Sequence, residues 1–196
     1  EMQRSLVGSE MCIRDRVMAE ATNHYFKHLG VSDGLSQVCI PSIYQDELGA
    51  VWLGTTEGLN RYNGKDVKVF QPSESNHGLT NNEINELCGD KNGRMYIRSG
   101  NDLIKLDIYT EQFTCLRQKG VYGLFCKKDT LWVSCADGIY YYTGQGTELT
   151  FFARVQKGFV GRALYVDKET VWVVTRKYLV AISRDCLLYT SDAADD

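Results

Sequence analysis

The chain has 196 residues, 43% hydrophobic and 24% charged, which suits a soluble domain with its own core and excludes a disordered protein. Its formal charge of −3 is carried by residues 186–196, so residues 17–185 are neutral and offer no electrostatic footprint for nucleic acid or an anionic membrane surface. No run approaches the about 18 apolar residues of a membrane-spanning helix, and residues 1–16 lack the unbroken apolar stretch of a secretory signal.

Residues 1–16 (EMQRSLVGSEMCIRDR) and 186–196 (CLLYTSDAADD) share no pattern with the rest of the chain. Both read as non-native tails of the kind translated from sequencing adaptors, and neither enters the functional reading. Residues 17–185 hold everything else. A short extended segment at 24–29 comes first, followed by four groups of strands. The first group, 36–72, has strands at 38–45, 50–55, 59–62 and 66–70. The second, 78–118, has them at 83–88, 94–98, 103–107 and 112–116. The third, 121–154, has them at 122–127, 131–134, 138–142 and 148–152. The fourth, 160–185, has strands at 162–166, 171–175 and 179–182 and then stops short of a last one. Only a weak 3.6-residue apolar period near 82–87 competes with the strand pattern.

The groups repeat one signature. Trp52, Tyr96, Trp132 and Trp172 are spaced by 44, 36 and 40 residues. Each is followed seven residues later by Leu59, Leu103, Ile139 or Leu179, and three further on by Tyr62, Leu106, Tyr142 or Ile182. Gly54, Gly58 and Gly138 complete the signature, and turn signals separate the strands at Glu57-Gly58, Asn63-Gly64, Asn92-Gly93 and Asp137-Gly138. Asn-Gly favours a type I′ hairpin because both central residues there need positive φ. Four-stranded units at this period are propeller blades. The expected fold is therefore all-β: a partial β-propeller of about four four-stranded antiparallel blades.

Few residues suggest chemistry. Seven cysteines include no CxxC pair. Cys12 and Cys186 lie in the tails, and Cys39, Cys88, Cys115, Cys126 and Cys135 read as small buried hydrophobes rather than as a disulfide or redox pair. His24 and His28 are four apart, which on a strand is about 13 Å and too far for one metal ion. His77 has no partner nearby in sequence. Asp90-Lys91-Asn92-Gly93 lacks the ligand alternation of a calcium loop and reads as a hairpin turn. Gly144-Gln145-Gly146 is too short to cradle a phosphate, and no GxSxG, HExxH or P-loop is present. Asp46, Glu57, Asp90, Asp102 and Asp137 recur on blade turns, which argues for turn chemistry rather than a catalytic pair. Among Tyr140, Tyr141 and Tyr142, alternation points Tyr141 away from its neighbours, so one or two of them at most face any one site. No catalytic, cofactor-binding or metal-binding residue is assigned, no cofactor is expected, and ligand-binding residues stay unassigned.

The segments FKHLGVSDGLSQ, DELGAVWLGTTEGLNRYNGKDVKVFQ and GLTNNEINELCGDKNGRMYIRS resemble the two-component regulator propeller repeats. These open the sensor region of bacterial hybrid two-component system histidine kinases. The resemblance covers about residues 25–185 and is most specific in the first blade. The second has Tyr96-Ile97-Arg98-Ser99 where a Trp-Ile-Gly-Thr run is usual. The third and fourth keep Trp132 and Trp172 but have lost most of the glycine and threonine.

The resemblance implies a piece of a seven-bladed ring, with residues 24–29 as an orphaned closing strand. It implies a parent whose propellers lie on the periplasmic side of the inner membrane, followed by a membrane span, a kinase and a DNA-binding domain. In such a parent the partners are the remaining blades and domains, an oligosaccharide ligand and a second copy in a homodimer. A ligand would act through a change of dimer geometry. This segment itself would contact no nucleic acid, span no membrane and catalyse nothing. Two other functions compete. A propeller lyase or glycosidase would need paired carboxylates on the innermost strands, which offer only Glu83 and Glu86. A freestanding propeller scaffold for protein partners would need no such residues. An open arc of blades is also expected to fold poorly alone, because it leaves blade faces uncovered.

Overall fold

The computed structural model describes residues 27–72, 78–154, 161, 163–167, 170–175 and 177–183, and the backbone of 189–190. After one 3-10 turn at Val31–Asp33, these residues form strands only. The first sheet is β1 Ser42–Gln45, β2 Val51–Thr55, β3 Gly58–Tyr62 and β4 Val67–Phe70. The second is β5 Ile84–Gly89, β6 Arg94–Ser99, β7 Asp102–Asp107 and β8 Gln112–Arg117. The third is β9 Val121–Lys127, β10 Thr130–Cys135, β11 Gly138–Tyr142 and β12 Thr150–Ala153. The fourth is β13 Ala163–Val166, β14 Thr170–Val174, β15 Leu179–Ser183 and β16 Tyr189–Thr190.

Every sheet is antiparallel with its strands in chain order. The first strand of each sheet packs against the first strand of the next, β1 on β5, β5 on β9 and β9 on β13. The sheets therefore fan out from a common inner wall of first strands. These are the blades of a partial β-propeller, as the repeat predicts.

Three apolar layers lie between the blades. Trp52, Leu59 and Phe70 of the first blade meet Ile84, Leu87, Met95, Ile97, Ile104 and Leu106 of the second. Tyr96 and Leu103 meet Leu124, Leu131, Val133 and Tyr142 of the third, and Trp132 and Ile139 meet Leu164, Val171, Val173 and Val180 of the fourth. The alternation of each strand sends one set of side chains to the preceding blade and the other to the following one. Within the signature, Trp52, Leu59, Tyr96, Leu103, Trp132 and Ile139 all lie at 0–3% exposure. Leu179 pairs with Val174 as Leu59 pairs with Gly54, yet it is 47% exposed. The three buried counterparts each pack against the next blade, whereas no described blade covers that face of the fourth.

Glycine matters most at two signature positions. A Cβ on Gly54 would come 2.8 Å from Ile84 Cγ2, so its absence lets β5 sit directly against β2. Gly58 has φ of 123°, and a Cβ there would meet the carbonyl of Phe70 at 2.7 Å. Tyr62 is half-buried at the blade rim, where its hydroxyl donates to the Gly64 carbonyl at 2.6 Å and accepts from Lys27 Nζ at 3.0 Å.

Several expectations need correction. The first strand starts at Ser42 rather than residue 38, because Pro41 has no N–H to give a ladder and restricts the residue before it. The helical hint near 82–87 is a strand with a bulge between Ile84 and Glu86. The bulge puts Ile84 and Leu87, three apart, on the same core face. The fourth blade does gain a last strand. Tyr189 and Thr190 pair with Ala181 and Val180, using the free backbone edge of β15, which accepts an extended segment whatever its repeat pattern. Lys27–Leu29 lies in no strand, and the rest of 24–29 is outside the described residues. Asn63-Gly64 and Asn92-Gly93 are not type I′ turns, since only the glycines have positive φ. Instead, Asn63 Oδ1 accepts from the N–H groups of Lys65 and Asp66, which closes a wider turn.

Candidate functional site

The recurring turn carboxylates hold hairpins together. Asp46 is buried between β1 and β2, where its Oδ1 accepts from Leu48 N–H at 3.0 Å and Ala50 N–H at 2.8 Å. Its Oδ2 accepts from the indole Nε1–H of Trp52 at 2.7 Å. Asp167 repeats the link to Trp172 at 3.0 Å in the fourth blade. In the second blade a tyrosine stands at the tryptophan position, and Asp90 pairs instead with Arg94. The hydroxyl of Tyr96 is left buried without a partner. In the third blade Lys127 occupies the aspartate position and donates to the Val166 carbonyl of the next blade at 2.7 Å.

A polar knot sits at the other end of the first blade. Asn60 is fully buried, accepts from Ser36 N–H at 2.9 Å and donates to Ser36 Oγ at 2.8 Å. Thr55 Oγ1 lies 2.9 Å from Ser36 Oγ and donates to the Gly58 carbonyl at 2.8 Å. Thr175 makes the same bond to Tyr178 in the fourth blade at 3.0 Å. The GLS and TTEGLN runs thus anchor the segment before β1 onto its own blade.

On the inner wall, Glu86 is half-buried and Glu83 exposed. Glu86 Oε2 accepts from Leu124 N–H at 3.1 Å and lies 3.3 Å from Arg98 Nε. Burial pushes its carboxyl above the ordinary value, with Arg98 and the Leu124 N–H partly offsetting the rise. Asn81 Oδ1 accepts from the Glu83 N–H at 2.9 Å. The Glu86–Leu124 bond ties the second blade to the third.

A shallow, open polar concavity of about 310 Å³ lies between the second and third blades, lined by Leu116, Arg117, Tyr140, Thr147, Glu148 and Leu149. Arg117 donates to Asp137 Oδ1 at 2.7 Å and lies 4.6 Å over the ring of Tyr140, whose hydroxyl donates to Asp137 Oδ2 at 2.7 Å. Burial alone would raise the Asp137 carboxyl, but the bonds from Tyr140 and Arg117 outweigh it and hold the group low. Phe151 packs edge-on against Tyr140 at 5.4 Å. The concavity therefore presents a guanidinium held by a carboxylate, with hydroxyl groups beside an aromatic edge. A second concavity of about 360 Å³, between the third and fourth blades, is lined by Lys127, Lys128, Asp129, Thr130, Trp132, Val166 and Asp167.

Of the residues singled out from sequence, Tyr140 lines the cleft and Tyr142 is buried against Tyr96. Tyr141 turns the other way onto Trp132, as alternation requires. Asp90-Lys91-Asn92-Gly93 is a hairpin turn in which Asp90 Oδ1 accepts from Asn92 N–H at 2.9 Å. The Gly146 carbonyl accepts from the Tyr142 hydroxyl at 2.7 Å, so that glycine loop is a strap for the third blade. His24 and His77 lie outside the described residues. Arg117 carried no sequence signal, because its site needs the 143–149 loop folded back over a neighbouring blade. Among the described residues, no group of three His, Cys, Asp or Glu could hold a metal ion, and no helix is long and apolar enough to cross a membrane.

Fold and site together define a propeller segment whose recurring turn acids hold hairpins together and whose open polar groups lie in an interblade concavity. Residues 34–57, from the anchoring segment through β2 and its turn, match the two component regulator propeller family, and the protein carries this repeat in its first blade. Over 53 residues the chain is 40% identical to histidine kinase P4 of Formosa agariphila, an overlap of 27% of this chain and 4% of that protein. Among solved structures, the extracellular domain of the hybrid two component system BT3049 from B. thetaiotaomicron aligns at a TM-score of 0.70 and 22% identity. That alignment covers 81% of this chain and 25% of the other. The extracellular domain of BT4673 from the same organism aligns at 0.64 and 18% identity, over 81% and 26%. The chain thus spans about a quarter of these domains and a small part of the kinase.

Proposed function

We propose that the protein is a segment of an extracytoplasmic sensor propeller of a hybrid two-component system, one whose parent regulates transcription in response to an oligosaccharide. The observation that carries this reading is the two component regulator propeller repeat at 34–57, folded as the inner half of the first blade. The parent's propeller lies on the periplasmic side of the inner membrane, and its homodimer passes the signal inward. Ligand must then bind one arrangement of the dimer better than the other. The cleft of Arg117, Tyr140 and Glu148 is the ligand site within this segment.

Long-read sequencing of the source locus tests the sensor reading. A frame that continues through further blades, a membrane span and a histidine kinase supports it, and a stop directly after residue 196 replaces it with a freestanding scaffold. The ligand is tested separately by thermal shift of the protein against a panel of oligosaccharides. A shift with one of them that is lost in Arg117→Ala supports the cleft, and no shift with any member removes the carbohydrate assignment.

A further inference from the structure

We infer that Cys88 and Cys126 form a disulfide that staples the second blade to the third at the inner wall. Cys88 lies on β5 opposite Tyr96, on the face turned to the third blade. Cys126 lies on β9 opposite Leu131, on the face turned back to the second. The two sulfurs are 2.9 Å apart. A bond of about 2.05 Å needs them to close by less than an ångström, within the reach of small χ1 adjustments. Cys39, Cys115 and Cys135 have no such sulfur neighbour among the described residues.

The opposition of the two cysteines follows from the architecture. At the first two junctions a first-strand residue opposite the signature aromatic reaches the next first strand one position further along, whereas at the third Phe125 meets its own equivalent, Tyr165, at 5.3 Å. At the first junction Tyr44, opposite Trp52, covers Gly89, where a Cβ would fall 2.2 Å from the tyrosine hydroxyl. At the second junction the equivalent positions are Cys88 and Cys126. A large residue over a glycine fills the space at the first junction, and a pair of small residues fills it at the second. Apolar side chains of the interblade layer surround the pair, with Glu86, Asp90, Tyr44 and Tyr96 the titratable groups nearest to it. Burial raises the Cys88 thiol, so a thiolate is disfavoured once the blades are docked.

The reaction joins the two thiols with loss of two protons and two electrons. A small-molecule disulfide such as oxidised glutathione accepts them. One cysteine forms a mixed disulfide, the other displaces it, and two reduced glutathione thiols leave. Because the docked thiols are shielded, the bond forms while the second and third blades assemble. It closes a loop across the 38-residue separation of the pair and fixes one interblade joint of the arc. The assignment rests on the geometry of the pair and is independent of the sensor reading.

The test refolds the full chain from the reduced, denatured state in a buffer of reduced and oxidised glutathione. Remaining thiols are then alkylated under denaturing conditions without reductant, and peptides are mapped by mass spectrometry. The expected result is a linked peptide joining residues 88 and 126, lighter by two hydrogens than its parts, with those two of the seven cysteines lost to alkylation. The same treatment of chain held in urea is expected to scatter the pairing. Alkylation of both residues as free thiols in the folded chain overturns the inference, as does pairing as scattered as in urea. In a second readout the oxidised protein unfolds at higher urea than the reduced one, and Cys88→Ser abolishes the difference. Should that variant not fold, the peptide map of the unaltered chain decides alone.

Discussion

Replacing Asp46 by asparagine tests whether the blade-turn acids are structural. Three donors converge on this buried carboxylate, the N–H groups of Leu48 and Ala50 and the indole of Trp52. An amide of the same shape has one acceptor oxygen and one donor nitrogen. With its oxygen on the two backbone groups, it turns an N–H toward the indole N–H; flipped, it opposes the backbone instead. No orientation satisfies all three. A hydrogen bond to a charged group contributes about 1.5–3 kcal/mol, and the orphaned donor is buried, so a loss of about 2–3 kcal/mol is expected. For a domain of this size that lowers Tm by roughly 5–10 °C. Urea unfolding followed by far-UV circular dichroism reads the change without depending on tryptophan. The same substitution in a Trp52→Phe background lacks the indole donor and is expected to cost at least about 1.5 kcal/mol less. A loss within about 0.5 kcal/mol of zero, or an equal loss in both backgrounds, refutes the role assigned to Asp46.

Two further predictions concern the tyrosine hydroxyls between the second and third blades and the half-buried Glu86. Tyr96→Phe removes a hydroxyl with no partner and is expected to leave stability unchanged or raise it by up to about 1 kcal/mol, whereas Tyr142→Phe loses the bond to Gly146 and costs about 1 kcal/mol. Urea midpoints that shift in the same direction for both variants contradict this. Glu86 has a folded-state pKa above its ordinary 4.5, so the stability it contributes is present below that value and is lost as pH rises through the raised one. Glu86→Gln keeps an acceptor for the Leu124 N–H and does not ionise. Its Tm relative to the unaltered protein is therefore expected to climb as pH goes from about 4.5 toward neutrality, and a gap that stays flat across that range counts against the shift.

The blades could be read from the sequence because their information is local. A short apolar strand that ends at a glycine turn shows both features within ten residues, as around Trp52, Leu59 and Gly58. Where local information misled, a backbone event had reset the count. The bulge in β5 made Ile84 and Leu87 look helical, and Pro41 cut short a strand that Val38 seemed to begin. The Asp46–Trp52 link was half-visible. The acid was recognised as a turn residue, but the indole it holds lies across the hairpin and emerges only with the register of β1 on β2. The cleft was invisible, since Arg117 meets Tyr140 through the packing of one blade on another.

The Cys88–Cys126 junction shows most sharply why a repeat pattern hides contacts between blades. Aligning the copies on their aromatics matches Cys88 with Tyr44, Phe125 and Tyr165, and places Cys126 beside Gln45, Gly89 and Val166. In that alignment the two cysteines never coincide, so they look like unrelated fillers of two apolar strands. At the first two junctions, however, the inner strands meet with a stagger of one residue, as Tyr44 over Gly89 shows, whereas at the third Phe125 meets its own equivalent, Tyr165. Contact partners across the first two junctions are therefore residues that the repeat alignment sets one column apart. The periodicity that reveals each blade aligns equivalent positions, and at the second junction the equivalent positions are not the ones that bring sulfur to sulfur. Sulfur facing sulfur at the second junction follows from this offset.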